Sequence, residues 1–296
     1  MGYDNEPGRE PTKNGPAGPL LRGVPPVDVR PLRYVAAMTK QALPSETGLR
    51  RPINRVARPF VGTDHNYVGA SIEQSYLTHP DFATGRVQLA RAFGVLERDL
   101  NELFDYIEPC EENSETYSHR TYAQLGRAAM EVEGLLSIGF RAAGENECRL
   151  SMKDYRRLNG VYRLSEYSIR VPVWDGHGAQ FRPFERFTAD EDPRPVWWDC
   201  YNFAKHNRVE KFHEATLSAA VQATGGALVC LFAQIAGLAF GASTDSLSQY
   251  SSSEGWIQGE SLFEIRPPRW DEEEKYAFDK DQDHSKPLEM VLPELN

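Results

Sequence analysis

Cysteine is scarce in this sequence, and its few residues are not grouped as disulfide scaffolds or zinc sites require. No C-x-x-C pair occurs and the N-terminus lacks the apolar run of a secretory signal, so we expect a cytoplasmic protein with free thiols. A metal site could combine Cys200 with His206 and His213, but this spacing matches no common zinc pattern. The sequence therefore predicts no metal and no cofactor. The four cysteines are Cys110, Cys148, Cys200 and Cys230.

Positive charge is also in deficit. The 296 residues carry a formal net charge of −10, which argues against attraction of nucleic acid to the whole surface. The charge is uneven, however, because residues 22–58 hold eight Arg and Lys against two acids, whereas acidic residues dominate beyond residue 245. Either these two charged regions are simply solvated, or the basic region contacts the acidic region or a neighbouring subunit.

Fingerprints of several common enzyme classes are missing as well. The chain contains no serine-nucleophile elbow, no Gly-rich phosphate loop and no dinucleotide-binding motif. Whether the protein is an enzyme is therefore left open by its motifs.

Regular apolar spacing indicates a mainly α fold. Periods near 3.6 residues predict two long antiparallel helices, over residues 84–106 and 118–143, with Ser118 as the cap of the second. A capping box at Ser151 predicts a third, short helix. Alternation with a central turn predicts a β-hairpin inserted near residues 162–187. We expect three regions: an extended Pro- and Gly-rich basic arm (1–60), a helical domain (61–243) and an acidic C-terminal extension (244–296). Residues 261–265 are a candidate edge strand.

Charged residues are absent from residues 215–244, so a membrane span has to be weighed against a buried helix. The polar residues Ser218, Gln222 and Gln234 and the Gly225-Gly226 pair favour a core helix, which we predict over residues 216–240. A membrane association is the less favoured alternative.

The helix predicted over residues 195–215 carries the candidate site, because polar and basic residues lie between bulky apolar ones at helical spacing. One stripe combines aromatic and cationic side chains, and a second combines amide and imidazole groups about 100° away. The first stripe is Tyr201, Lys205, Arg208 and Phe212, and the second is Asn202, His206, Val209 and His213.

Arg208 and His213 have the Arg-x4-His spacing used by metal-independent ribonucleases, in which the cation steadies the phosphate and the imidazole moves protons. On a straight helix the two side chains diverge by about 140°, so a kink or a dimer interface is needed to bring them together. Asn202 and His206 share one face more readily. The alternative is structural: the aromatic residues and His206 belong to the core, and Arg208 pairs with Glu131 or Glu133.

Several short motifs occur between Tyr106 and Thr216. They are Tyr106-Ile107-Glu108-Pro109, Asn113, Thr116-Tyr117-Ser118, Glu131-Val132-Glu133, Asp154-Tyr155, Tyr201-Asn202-x-x-Lys205-His206-x-Arg208, Phe212 and Ala215-Thr216. Together they resemble a group of bacterial proteins and, through helix order and the Arg-x4-His spacing, the HEPN superfamily of helical domains. The resemblance spans roughly residues 97–240 and implies a dimer that places Arg and His of both subunits at one site, with roles in RNA processing, toxins or phage defence. A polar residue commonly follows the Arg in that superfamily, and this chain has Val209.

These observations predict a HEPN-like helical bundle with a small β-hairpin and extended termini. The leading hypothesis is a homo-oligomer that binds or cleaves RNA, with Arg208 as phosphate anchor and His206 or His213 as the acid or base. Asn202, Lys205 and Tyr201 would bind the substrate. The alternative is a non-catalytic assembly protein whose residues 1–58 or acidic tail contact a protein partner.

Overall fold

The helices of the computed structural model follow the apolar periodicity of the sequence. Helix α1 (Arg86–Phe104) and helix α2 (His119–Ala142) lie within the two long segments that the spacing predicts. The prediction of a mainly helical fold is confirmed. The buried stripe of α1 consists of Ala90, Phe93, Leu96, Leu100 and Leu103.

The structure describes residues 50–52, 56–57, 85–142, 150–176, 179–189, 192, 194–236, 250–251, 255–259, 261–271 and 289–291. All of them lie in one compact unit, residues 44–296. Most of the predicted basic arm is therefore outside the described residues. Its two described pieces are strand β1 (Arg50–Pro52) and the buried pair Val56 and Ala57, whose Ala57 amide donates to the Ala233 carbonyl at 2.8 Å.

Both predicted helix caps are formed. The Ser118 Oγ accepts the Thr121 amide at 3.1 Å at the start of α2. At the start of helix α3 (Met152–Tyr155) the Ser151 amide donates to Asp154 Oδ2 at 2.7 Å. These bonds satisfy amides that have no acceptor inside the helix. A 3-10 turn (Arg156–Leu158) and helix α4 (Asn159–Tyr162) follow.

The helix predicted over residues 195–215 is broken at Asn207. Helix α5 (Val196–His206) ends there, helix α6 (Arg208–Lys211) follows, and a 3-10 turn (Phe212–Glu214) completes the segment. Asn207 has φ −130° and ψ 60°, outside the helical range, and its side-chain amide donates to Glu210 Oε2 at 2.8 Å. Arg208 and His213 both follow this break, and the 140° separation derived for a straight helix does not apply to them because α6 ends at Lys211 and His213 lies in the 3-10 turn.

Helix α7 (Leu217–Ile235) forms the centre of the fold. All of its residues except Ser218 and Gln222 are buried, and it packs most extensively against α2, with α1 and α5 alongside. By length and composition it could cross a membrane, with mean hydropathy 1.4, but 89% of that window is buried inside the protein. The prediction of a buried core helix is thus confirmed.

The predicted β-hairpin is present but shorter than residues 162–187. Strand β2 (Ser168–Arg170) pairs antiparallel with strand β3 (Gln180–Phe181). Tyr162 belongs to α4 instead, and Glu185–Thr188 form a 3-10 turn.

Three strands from the predicted acidic extension complete a five-stranded antiparallel sheet. They are β4 (Tyr250–Ser251), β5 (Ile257–Gln258) and β6 (Glu264–Arg266), and the sheet order is β3-β2-β6-β5-β4. The edge strand expected at residues 261–265 is wrong in position, because β6 lies between β2 and β5. Residues on both sides of the predicted boundary at 244 therefore share one sheet.

The sheet covers α7 with its apolar face, where Ile169, Ile257 and Ile265 are fully buried. A Cβ added to Gly225 of α7 would lie 3.0 Å from the Phe181 ring, so helix and sheet approach closely there. A separate two-stranded sheet pairs β1 with strand β7 (Glu289–Val291).

Candidate functional site

The loop between α1 and α2 shapes the site by docking against the N-terminus of α7. The Leu217 amide donates to the Thr116 carbonyl at 2.8 Å, and the Ser218 amide donates to the Ser114 carbonyl at 2.9 Å. A helix N-terminus leaves such amides without intrahelical acceptors, so the loop carbonyls satisfy them. The loop and the segment preceding α7 are consequently held side by side.

A cluster of aromatic and basic side chains lies at this junction. The Phe212 ring centroid is 4.8 Å from that of His119, 5.7 Å from Tyr122 and 5.9 Å from Tyr117. The Arg208 guanidinium lies over two of these rings, 5.0 Å from the Tyr122 centroid and 5.6 Å from the Phe212 centroid. We call the following six residues the Arg208 cluster: Tyr117, His119, Tyr122, Arg208, Phe212 and His213.

Arg208 also contacts a histidine from the start of α2. Its Nη2 lies 3.2 Å from Nδ1 of His119, and both side chains are exposed. A guanidinium can only donate hydrogen bonds, so a hydrogen bond at this contact requires Nδ1 as the acceptor and the neutral tautomer with its proton on Nε2. None of the ion pairs between described residues includes Arg208. Its charge is therefore available to an external anion.

His213 lies at another side of the cluster. Its ring centroid is 6.3 Å from that of Tyr117, and its Nε2 is 3.5 Å from Glu214 Oε1, which also accepts from Lys211 Nζ at 3.1 Å. The structure thus places Arg208 and His213 in one cluster, but no hydrogen bond between described residues joins them. The direct partner of Arg208 is His119.

The remaining candidate residues lie on α5. Tyr201 is buried and packs on Trp198 at 5.3 Å between ring centroids, while Lys205 is exposed with its Nζ 5.1 Å from the Tyr201 centroid. His206 is exposed and Asn202 is half-buried. No hydrogen bond among the described residues joins these two side chains. The expectation of a core role is confirmed for Tyr201 but is wrong for His206.

Among the described residues, no group of three His, Cys, Asp or Glu side chains could hold a metal ion. Burial raises the pKa of Cys200 to about 11, which disfavours the thiolate that a metal would bind.

His119 is the site residue that the sequence did not reveal. It lies 89 positions before Arg208, and only tertiary packing brings the two together. A partial signal exists in the motif Thr116-Tyr117-Ser118, which directly precedes His119. The proposed ion pair of Arg208 with Glu131 or Glu133 is wrong, because the guanidinium contacts the first turn of α2 instead.

Comparison with known proteins adds no relative: no protein-family model, no curated protein and no solved structure matches this chain. The HEPN resemblance therefore stays a prediction from the motif residues. Several of those motifs, separate in sequence, meet in the structure, since Tyr117 pairs with Thr216 through their backbones and packs on Phe212.

Proposed function

We propose that the Arg208 cluster binds single-stranded RNA. In this proposal Arg208 holds a phosphate, and the rings of Tyr117 and Phe212 contact bases. The observation that carries the proposal is an exposed guanidinium that is packed on aromatic rings and lacks a carboxylate partner among the described residues. Arginine binds phosphate through two parallel N–H donors, and bases stack on aromatic rings whatever their sequence.

Exposure of the Tyr117 ring supports contact with a base. Tyr117 is 51% exposed and packs edge to face with Phe212, which is half-buried. Lys205 extends the positive charge along α5. Among the described contacts, its Nζ lies only against the Tyr201 ring. The net charge of −10 disfavours contact of RNA with the rest of the surface. We therefore expect the protein to contact only a short stretch of RNA, with one or two phosphate contacts. The logarithm of affinity should then fall with the logarithm of salt concentration with a slope of about −0.7 per contact.

The proposal includes strand cleavage as the reaction of this site. His206 and His213 are exposed near Arg208 in the sequence, and either could accept the proton of a 2′-hydroxyl as its oxygen attacks the phosphorus while Arg208 steadies the phosphate. The bond from phosphorus to the 5′-oxygen breaks, and the leaving 5′-oxygen takes up a proton. The HEPN resemblance supports the same reaction class, a homo-oligomeric state and a role in phage defence. Asn202 would orient the RNA from the preceding turn of α5.

The test of binding is fluorescence anisotropy with a labelled single-stranded RNA of about ten nucleotides. We expect Arg208→Ala to weaken binding about tenfold or more, because a hydrogen bond to a charged group contributes about 1.5–3 kcal/mol. Arg208→Lys should bind with intermediate affinity, because lysine keeps the positive charge but lacks the two parallel N–H donors of the guanidinium. Equal affinity of Arg208→Ala and the wild-type protein would remove this site from consideration.

Arg120→Ala is the matched control. Arg120 follows His119 directly and lies 5.1 Å over the Tyr106 ring, but Glu102 neutralises it at 3.3 Å. Loss of this charge should leave RNA binding unchanged, whereas equal losses in both variants would indicate unspecific electrostatic attraction. Cleavage is followed on a gel, and it should disappear in Arg208→Ala and decrease in His206→Ala or His213→Ala.

A non-catalytic assembly role is the second candidate, and the pairing of β1 with β7 supports it. One strand comes from the basic arm and the other from the acidic tail, and such a terminal pair can be exchanged between copies of a chain. Deletion of residues 1–55 removes β1 and keeps Val56 and Ala57, which belong to the core. A smaller mass by light scattering after this deletion would support assembly, and an unchanged monomer mass would contradict it.

A further inference from the structure

We propose that His119 makes phosphate binding at Arg208 dependent on the uptake of one proton, an inference that rests on the proposed function. In the free protein His119 accepts a hydrogen bond from Arg208 through Nδ1. When a phosphate oxygen replaces His119 as the acceptor of Arg208 Nη2, His119 binds a proton from solvent at Nδ1 and donates it in a hydrogen bond to the same anion.

The geometry of the free site explains why binding and protonation are linked. Arg208 Nη2 lies 3.2 Å from Nδ1, a position that suits a donor facing a lone pair. A proton on Nδ1 would turn this contact into two donors and two positive charges facing each other. An anion between the two groups removes the conflict, because each cation then donates to an oxygen. Imidazole is suited to this exchange since it changes charge in the neutral pH range.

The rings around the pair hold both groups in place. The His119 centroid is 4.8 Å from that of Phe212, and the Arg208 guanidinium is held against Tyr122 and Phe212. Arg208 and His119 are thus positioned for a common ligand before it binds, which lowers the ordering cost of binding.

The carboxylates of the packed segment have other partners than His119. Glu210 accepts from Asn207 at 2.8 Å, and Glu214 is the partner of both Lys211 and His213. Arg120, next to His119 in the chain, pairs with Glu102. Tyr117 and Tyr122 contribute rings to the cluster. Arg208 is consequently the charged group that the described contacts place directly on His119.

Sulfate is the probe for the first test, because it is a tetrahedral dianion that does not itself titrate near neutral pH. Its binding to the full-length protein is followed by long-range ¹H–¹⁵N NMR of the histidine rings, which reports which ring nitrogens carry protons. The free protein should show His119 with a proton on Nε2 alone. Saturation with sulfate should protonate both nitrogens, and the affinity should fall up to about tenfold for each unit of rising pH, the limit for one linked proton.

His119→Asn provides an acceptor that cannot be protonated. Its Oδ1 can occupy the place of Nδ1, so sulfate binding should lose its dependence on pH between about 6 and 8. Arg120→Ala removes a neutralised charge next to His119 in the chain and should keep the dependence. A bound sulfate that leaves the proton count of His119 unchanged, or an equal pH dependence in His119→Asn and wild-type protein, would overturn the inference. Absence of sulfate binding would overturn it too.

RNA binding is measured in parallel, so that the two proposals fail separately. Sulfate binding with protonation of His119, but no RNA binding, would contradict the proposed function and leave the proton-linked anion site. RNA binding that depends on Arg208, with His119 neutral throughout, would support the proposed function and contradict the proton linkage.

Discussion

The side-chain amide of Gln124 on α2 donates to Thr224 Oγ1 on α7 at 3.1 Å, one hundred positions further along the chain. The same Nε2 donates to the Leu96 carbonyl of α1 at 2.9 Å. A single buried amide therefore connects the three long helices of the fold. Because buried polar groups are costly when they lack partners, this network favours one relative position of the helices over others.

We expect Gln124→Leu to lower the free energy of unfolding by about 1–3 kcal/mol, because the Leu96 carbonyl and Thr224 hydroxyl lose a buried partner. Thr224→Val should also lower the free energy of unfolding. Because the two residues are in contact, the double variant should lower it by less than the sum of the two single variants. Gln222→Ala is the control: this half-buried amide contacts Ser218 at 3.1 Å and should change stability by at most about 0.5 kcal/mol. Urea unfolding measures all four. A double variant whose loss of stability equals the sum of the two single losses would contradict the network.

The two adjacent glycines of α7 should respond differently to alanine. A Cβ at Gly225 would meet the Phe181 ring at 3.0 Å and Ile169 Cγ2 at 3.3 Å, whereas a Cβ at Gly226 would meet neighbours at 3.5 Å. Alanine is favoured over glycine in a helix interior by about 1 kcal/mol, so Gly226→Ala should be neutral or stabilising. Gly225→Ala should be less stable than Gly226→Ala by about 1–3 kcal/mol through overpacking. Thermal unfolding of both variants checks this. Equal stability of the two variants would contradict the prediction, because it would mean that the sheet shifts away from α7 at no cost.

Glu97 of α1 should make stability depend on pH. Burial raises its pKa above the ordinary value of 4.5, although Ser261 Oγ and the Leu262 amide, at 2.8 Å, donate to the carboxylate. The folded state thus binds this proton more tightly than the unfolded chain, so the contribution of Glu97 to stability falls as pH rises from 4.5 through the folded pKa.

Glu97→Gln should therefore be more stable than the wild-type protein at neutral pH, and the difference should shrink as pH falls toward 4.5. The amide oxygen can still accept both hydrogen bonds. Glu97→Ala, in contrast, leaves Ser261 and the Leu262 amide without this acceptor and should be destabilised. Urea unfolding at several pH values measures the differences. A gap between wild type and Glu97→Gln that is the same at every pH would contradict the assignment.

The sequence was sufficient for features that depend on local spacing. The periodic apolar residues of α1 and α2 and the uncharged apolar run of α7 identified these helices, and the side-chain oxygens of Ser118 and Ser151 marked two starts. Features that depend on distant partners were missed. Strand β6 pairs through Ile265 with Ile169, and strands β4 and β5 have two residues each, too short for a periodic signal.

The candidate site shows the same division. The stretch around Arg208 stood out because of its composition, and the structure exposes Arg208, His206 and His213 there. The break at Asn207 was not predicted, since a single Asn is tolerated in many helices and the neighbouring residues keep a helical pattern. His119 could not be assigned, because its relation to Arg208 exists only after α2 and the segment preceding α7 have packed together.

The most direct test of the account is ultraviolet cross-linking of the full-length protein to a uridine-rich single-stranded RNA, with the attached peptides identified by mass spectrometry. We predict cross-links in residues 115–122 and 203–214, where Tyr117, Phe212 and Arg208 meet, and their loss in Arg208→Ala but not in Arg120→Ala. Cross-links confined to the basic arm, residues 22–58, and unaffected by Arg208→Ala would contradict the central claim that the Arg208 cluster binds RNA.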